Sequence, residues 1–160
     1  MFLYVLSAVA FASPDGDSLA DRQFGVGIAV GAPSGVSGKM YLTADNTLLS
    51  DSVMAFQFTV GGDLGQVGDA SMCLDLIYQN ESLNGIEDGY LVSPYFGAGL
   101  NFGANLINER FALGPRAIAG VTVIVPNMPV ELYIESNPTI VVYDVISWSF
   151  DGAFGARYFF

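Results

Sequence analysis

The last thirteen residues, 148–160, alternate with a period of two. Trp148, Phe150, Gly152, Phe154, Ala156, Tyr158 and Phe160 fall on one side. Ser149, Asp151, Ala153, Gly155, Arg157 and Phe159 fall on the other. A strand points successive side chains to opposite faces, so this period predicts a strand rather than a helix. The first face is aromatic at both ends and small or apolar between. The second carries an acid and a base, which a water-soluble core seldom takes in unpaired. The pattern therefore predicts a strand whose apolar face looks outward and whose polar face is enclosed.

The same inversion runs through the chain. Of its 160 residues 52% are hydrophobic and only 13% charged, and the mean hydropathy is +0.47. A membrane helix needs about 20 mainly apolar residues, and the longest apolar runs, residues 1–12 and 117–125, fall short of that. Apolar content dispersed in alternation points to membrane-crossing strands instead, which must close on themselves to satisfy the backbone.

Seven further strands are expected in order. In residues 24–30, Phe24, Val26, Ile28 and Val30 alternate with Gly25, Gly27 and Ala29. Residues 32–35 turn the chain, and residues 36–42 put Val36, Met40 and Leu42 opposite Ser37, Lys39 and Tyr41. Residues 53–60 alternate Met54, Phe56, Phe58 and Val60 with Ala55, Gln57 and Thr59. Residues 61–69 read as a loop. Residues 71–79 place Met72, Leu74, Leu76 and Tyr78 outward and Cys73, Asp75, Ile77 and Gln79 inward.

Residues 80–89 read as a connection, residues 91–101 as a fifth strand, and residues 103–109 as a loop. In the sixth strand, 111–125, Arg116 opposes Ala117 and Ala119, although Ile118 shares its face. Two prolines in residues 126–129 mark a turn. Val130, Leu132 and Ile134 then oppose Glu131, Tyr133 and Glu135. Asn137-Pro138 is expected to open a loop reaching residue 146, with residues 139–143 able to lengthen the hairpin. The fold class predicted is all-β, an eight-stranded antiparallel up-and-down transmembrane β-barrel, with strands of about 9–11 residues.

Parity places Lys39, Arg116 and Arg157 inside together with Asp75, Glu131, Glu135 and Asp151. An eight-stranded barrel is only wide enough for side chains to fill, so three bases and four acids would have to pair there. A structural plug of ion pairs is the preferred reading. A narrow ion path, or an acid/base site on Glu131 and Glu135, is the competing one. Trp148, Phe154, Tyr158 and Phe160 are expected to form the membrane girdle and the C-terminal signal strand.

Several function classes are excluded or disfavoured. Five basic residues against a net charge of −11 leave little to neutralise phosphates, so nucleic acid is not a partner. With no histidine and one cysteine, zinc sites built from Cys and His are ruled out by count, and Cys73 makes a poor nucleophile. No metal, cofactor or catalytic residue is expected. Residues 1–12 end in Ala10-Phe11-Ala12 and resemble a secretory signal lacking its basic start, leaving residues 13–160 as one barrel domain.

Four stretches carry a family resemblance: residues 25–39, Gly114-Pro115-Arg116, residues 129–135 and residues 155–160. Through them the chain resembles the small OmpA/OmpX-type barrels of the bacterial outer membrane. More narrowly it is similar to a bacterial barrel family of unassigned activity that includes a spirochaetal factor-H-binding surface protein. The resemblance implies a monomeric outer-membrane barrel that contacts membrane lipid and engages the barrel-assembly machinery through its last strand. It implies no particular host or surface partner.

Two other readings compete. A soluble lipocalin-like barrel would line its cavity with Phe56, Phe58, Leu74 and Leu76 and leave Lys39, Asp75 and Arg157 in water. A lipid-modifying membrane enzyme of the deacylase or palmitoyltransferase type would rely on a histidine-activated serine, and the chain has no histidine.

Overall fold

The computed structural model describes residues 23–42, 52–62, 69–80, 85–87, 90–105, 107, 110–125, 128–142 and 146–160. The expected signal segment, residues 1–12, lies outside them. The described strands are β1 (Phe24–Gly31), β2 (Ser34–Leu42), β3 (Ser52–Gly62), β4 (Asp69–Asn80), β5 (Gly85–Glu87), β6 (Tyr90–Asn105), β7 (Arg110–Ile124), β8 (Val130–Val142) and β9 (Ile146–Phe159). Every pairing is antiparallel. Each long strand pairs with its neighbours in sequence, and β1 pairs with β9, so the sheet closes. The short β5 takes over from β4 along the edge of β6: Gln79 pairs with Tyr95, and Gly85 with Val92. The barrel therefore has eight staves, one of them in two pieces.

Closure abolishes the free edges that an open sheet would present. It also puts the start of β1 and the end of β9 at the same rim, here the terminal rim, with the β1–β2 turn at the far rim. That turn is only Ala32-Pro33, because Ser34 and Gly35 already belong to β2. Gly31 enters it at φ +143°, a conformation suited to glycine. The Ser34 hydroxyl closes the turn, accepting from Gly31 N at 2.8 Å and donating to Gly31 O at 2.7 Å.

The sheet is larger than the sequence suggested, and each difference has the same cause. Gly61, Gly62 and Asp69 are in strands, as are Gly103 and Asn105, and β5 lies within the expected connection 80–89. Strand β8 runs straight through Asn137-Pro138 instead of ending there. Polar and glycine-rich composition suggests loops, but pairing to at least one neighbouring strand overrides it. Pro138 is tolerated because its ladder to β9 is unbroken, opposite Phe150.

On the β7 side the ladder is broken. Arg116 pairs with Thr139 and Ala119 with Ser136, while Gly114, Pro115, Ala117 and Ile118 have no partner in β8. The flanking register sets Pro115 against Ile140 and Pro138 against Ala117. Neither proline can donate, so β7 and β8 lose rungs at adjacent outward positions.

Outward positions carry exposed large apolar groups on all eight staves, among them Ile28, Val36, Leu76, Phe96, Ile134 and Phe154. Among the described long strands no outward position is Asp, Glu, Lys or Arg. Inside, the reverse holds: Lys39, Gln57, Glu131 and Asn137 are 0% exposed, and Asp75 and Arg157 are 1%. This facing is opposite to that of a soluble carrier, in which Leu76 would be enclosed and Lys39 hydrated. Leu76 is 44% exposed.

Several close wall contacts rest on glycine facing an aromatic ring. Gly120 lies opposite Tyr95 and Gly155 opposite Tyr133. A methyl group at either would come within 2.6 Å of the tyrosine ring. Each ring folds across the bare Cα of its partner, a cross-strand pairing that fixes register.

Candidate functional site

The interior divides into three levels. Next to the terminal rim is an apolar floor of Tyr41, Val53, Ile77, Tyr95, Ile124 and Phe159, with Ile118 and Ala55 packed onto it. Ile118, which shares the face of Arg116, is simply inside. Phe159 also faces in, with its ring centre 5.8 Å from that of Tyr41. Alternation alone gives the facing of these residues but not the change in lumen chemistry along the axis.

Above the floor sit six buried charges in two groups. Glu131 receives Lys39 Nζ at 3.1 Å and Arg157 Nη1 at 3.0 Å, with the Tyr41 hydroxyl at 3.5 Å. Arg116 Nε stands 2.9 Å from Asp75 Oδ1, a contact whose angle falls short of a hydrogen bond. Arg116 Nη2 lies 3.6 Å from Glu135 Oε1. The first group carries one excess positive charge and the second one excess negative charge. Neither is neutral alone, and together they balance.

Uncharged polar residues join the two. The Tyr95 hydroxyl donates to Glu135 at 2.8 Å, while Lys39 Nζ lies 5.4 Å from the centre of the Tyr95 ring. Gln57 and Asn137 also donate to Glu135, at 2.9 and 3.2 Å. Arg157 donates from Nε to the Ser37 hydroxyl at 3.0 Å and stacks 3.8 Å above the Tyr133 ring. These pairings offset the cost of burial, since an uncompensated buried charge costs several kcal/mol, although both Asp75 oxygens and Arg157 Nη2 form no hydrogen bond among the described residues. Cys73 joins the second group: its sulfur accepts from Arg116 Nη1 at 2.9 Å. Gln57, Tyr95, Asn137 and Tyr133 all lie at inward parity, and that was the available signal for their membership.

Six of the seven charges placed inside by alternation thus meet. Asp151 does not. It lies at the far rim, half-buried, bonded to the Ser149 hydroxyl at 2.8 Å, and forms no ion pair among the described residues. The physical reason is height: β9 runs from rim to rim, and Asp151 sits three periods of the alternation above Arg157, towards the far rim. Of the aromatic residues expected as a girdle, Trp148 is 80% exposed, while Phe154 and Tyr158 also point outward. Phe160 is half-buried beside Tyr158, the two ring centres 5.2 Å apart.

At the far rim the lumen opens into a vestibule of about 570 Å³, walled by small and polar groups including Ser71, Asn101, Thr139, Ser149 and Asp151, with Arg116 at its base. Among the described residues no group of acids and cysteine is arranged to hold a metal ion. Glu131 and Glu135 are each engaged by cations or amide donors. The arrangement can fix side chains, close the lumen below Arg116 and admit a small solute above it.

No family model matches the chain, and no curated protein matches it significantly. Among solved structures the chain is similar to Ail, the attachment invasion locus protein of Yersinia pestis. The two share 15% sequence identity with a TM-score of 0.43, over 86% of this chain and 96% of that one. A likeness of that degree says nothing of activity.

Proposed function

We propose that the protein is a non-enzymatic integral barrel of the bacterial outer membrane, its lumen closed by the paired charges and its vestibule open at the far rim, opposite the start of β1 and the end of β9. One observation carries this reading. The outward face is apolar on every stave and free of charge among the described residues, while six charges are enclosed. In water that distribution would expose an apolar belt far beyond the few hundred Å² a monomer tolerates. In a bilayer both halves of it are favourable. The closing strand, with outward Trp148, Phe154 and Tyr158, supports an insertion-competent C-terminus engaged by the assembly machinery.

The role is structural, with any surface contact made through short connections. At the far rim these are Ala32-Pro33 and the segments 63–68, 106–109 and 143–145. Such lengths leave little chain for an extended adhesive surface. The paired charges also oppose ion flow, because a permeating ion would have to part buried partners.

The test is migration on a gel after detergent extraction, with and without heating, followed by planar-bilayer recording. The proposal expects a compact, heat-modifiable band and no steady conductance. A protein that remains in solution without detergent would overturn it, and a stable open channel would remove the closed lumen.

A further inference from the structure

Closure pairs the staves only where they overlap, and β9 runs past its neighbour. Its last bond toward β1 runs from Ala32 N to Gly152 O at 3.1 Å, and Ala32-Pro33 then turns the chain back into β2. On its other side β9 stays paired to β8 as far as Ile146. The overhang, residues 146–151, is about 20 Å long at the usual rise of a strand. In an antiparallel ladder a residue sends its N–H and C=O to the same side, and successive residues alternate. Phe160 N bonds to Phe24 O and Gly152 O to Ala32 N, so the even-numbered residues of β9 address the β1 side. Ile146, Trp148 and Phe150 therefore direct three N–H and three C=O groups at an edge that has no partner among the described residues.

We infer that this edge takes up an extended peptide segment of another protein as a further strand, apolar on its outer face and basic on its inner one. A row of alternating backbone donors and acceptors is satisfied most fully by another strand. The two faces of the overhang specify the side chains of that strand. Ile146, Trp148 and Phe150 point outward and are 72, 80 and 70% exposed, so the residues paired with them are apolar. Between them Ser147, Ser149 and Asp151 line the vestibule, together with Ala32 and Asp69. The incoming strand lies over Ala32-Pro33 and drops its alternate side chains into that space. Asp69 is bonded to Asn105 and Asp151 to Ser149, neither in an ion pair among the described residues. Arg116, at the base, is already matched by Asp75 and Glu135. A lysine or arginine is therefore favoured there and an acid repelled. The contact is made by a stave and not by a connection, which takes it beyond the structural role above. It rests on the membrane placement given there, since an unpaired edge is tolerated in water and not in lipid.

Trp148 is the only tryptophan in the chain and sits mid-edge, so its fluorescence reports occupancy. The full chain is reconstituted in phosphatidylcholine nanodiscs and titrated with a capped heptapeptide of alternating valine and lysine, then with a counterpart that has glutamate for lysine. The lysine peptide should shift the emission saturably, and the glutamate peptide should not. With lysines inward, the valines pair with Ile146, Trp148 and Phe150. Methylating the valine nitrogens removes the N–H groups that face β9 and should weaken binding about a hundredfold, for three lost hydrogen bonds. Methylating the lysine nitrogens leaves those groups in place and should preserve binding. Phe150→Pro removes one edge donor without touching the β8 ladder and should weaken binding about fivefold. Ile146→Pro does the same if Phe150→Pro does not fold.

Equal weakening by the two methylations, or equal binding of the lysine and glutamate peptides, would overturn the proposal. So would a dimer in detergent that Phe150→Pro splits, which would give the edge to a second copy of the chain. Co-elution of the protein with the disc reads the membrane placement separately. Absent binding with co-elution intact strikes the edge alone, whereas protein that elutes free of lipid strikes the placement.

Discussion

Replacing Glu131 by Gln tests the paired lumen most sharply. The substitution keeps the shape and removes one charge that two fully buried cations share. Lys39 and Arg157 lie 3.1 and 3.0 Å from its carboxylate. Coulomb attraction at that range is about 5 kcal/mol per pair for an effective dielectric near 20, much of it offset by the desolvation of three ions. What the substitution exposes is the uncompensated remainder. Two cations are left facing an amide whose NH₂ can only repel them, and breaking a buried pair typically costs about 3–5 kcal/mol.

A loss of about 4 kcal/mol lowers the folding constant roughly a thousandfold. Equilibrium denaturant unfolding in vesicles, followed by Trp148 fluorescence, measures it. Adding Lys39→Met to Glu131→Gln should recover part of the loss, because only Arg157 would then lack its acid, and Ser37 and Tyr133 still hold it. A cost below about 1 kcal/mol, the level of an exposed pair, would refute the reasoning. It would mean that the charges are bathed in water and the lumen is not closed.

Two further outcomes follow from the same packing. Gly155→Ala should cost about 3 kcal/mol or more, because the added methyl would run into the Ile28 carbonyl oxygen as well as meet the Tyr133 ring, seated beneath Arg157, at 2.6 Å. Unfolding of Gly155→Ala, Tyr133→Ala and the double variant should show losses short of additive, since Tyr133→Ala relieves the ring part of the clash and leaves the part with Ile28. Cys73 is 0% exposed, so a water-soluble maleimide should label it only at the rate of unfolding; rapid labelling of folded protein would place water in the wall beside Arg116.

Alternation made most of this legible. Lys39, Asp75, Glu131, Glu135 and Arg157 could be put inside from the sequence because period two is a geometric property of strands and does not depend on the partner strand. The strand ends were harder to place. Asn137-Pro138 carries strong loop signals, yet β8 passes through it because β9 pairs along its whole length. Height within the barrel was illegible for a related reason. Facing is a one-strand property, whereas the level of a side chain depends on the stagger of all eight staves. Asp151 therefore shared the parity of Arg157 without sharing its level, and the apolar floor around Phe159 was hidden among positions that alternation marks only as inward. The broken β7–β8 ladder was unreadable for the same reason, since Pro115 and Pro138 come together only once the β7–β8 register is set.

The central claim is that the apolar belt faces lipid. Ile134, near the middle of β8 and 63% exposed, measures it directly through the unfolding free energy of Ile134→Lys in vesicles. Lipid on that face predicts a loss of about 2–4 kcal/mol for a lysine at mid-bilayer. A change within about 0.5 kcal/mol, as for an ordinary water-exposed surface position, would contradict the account.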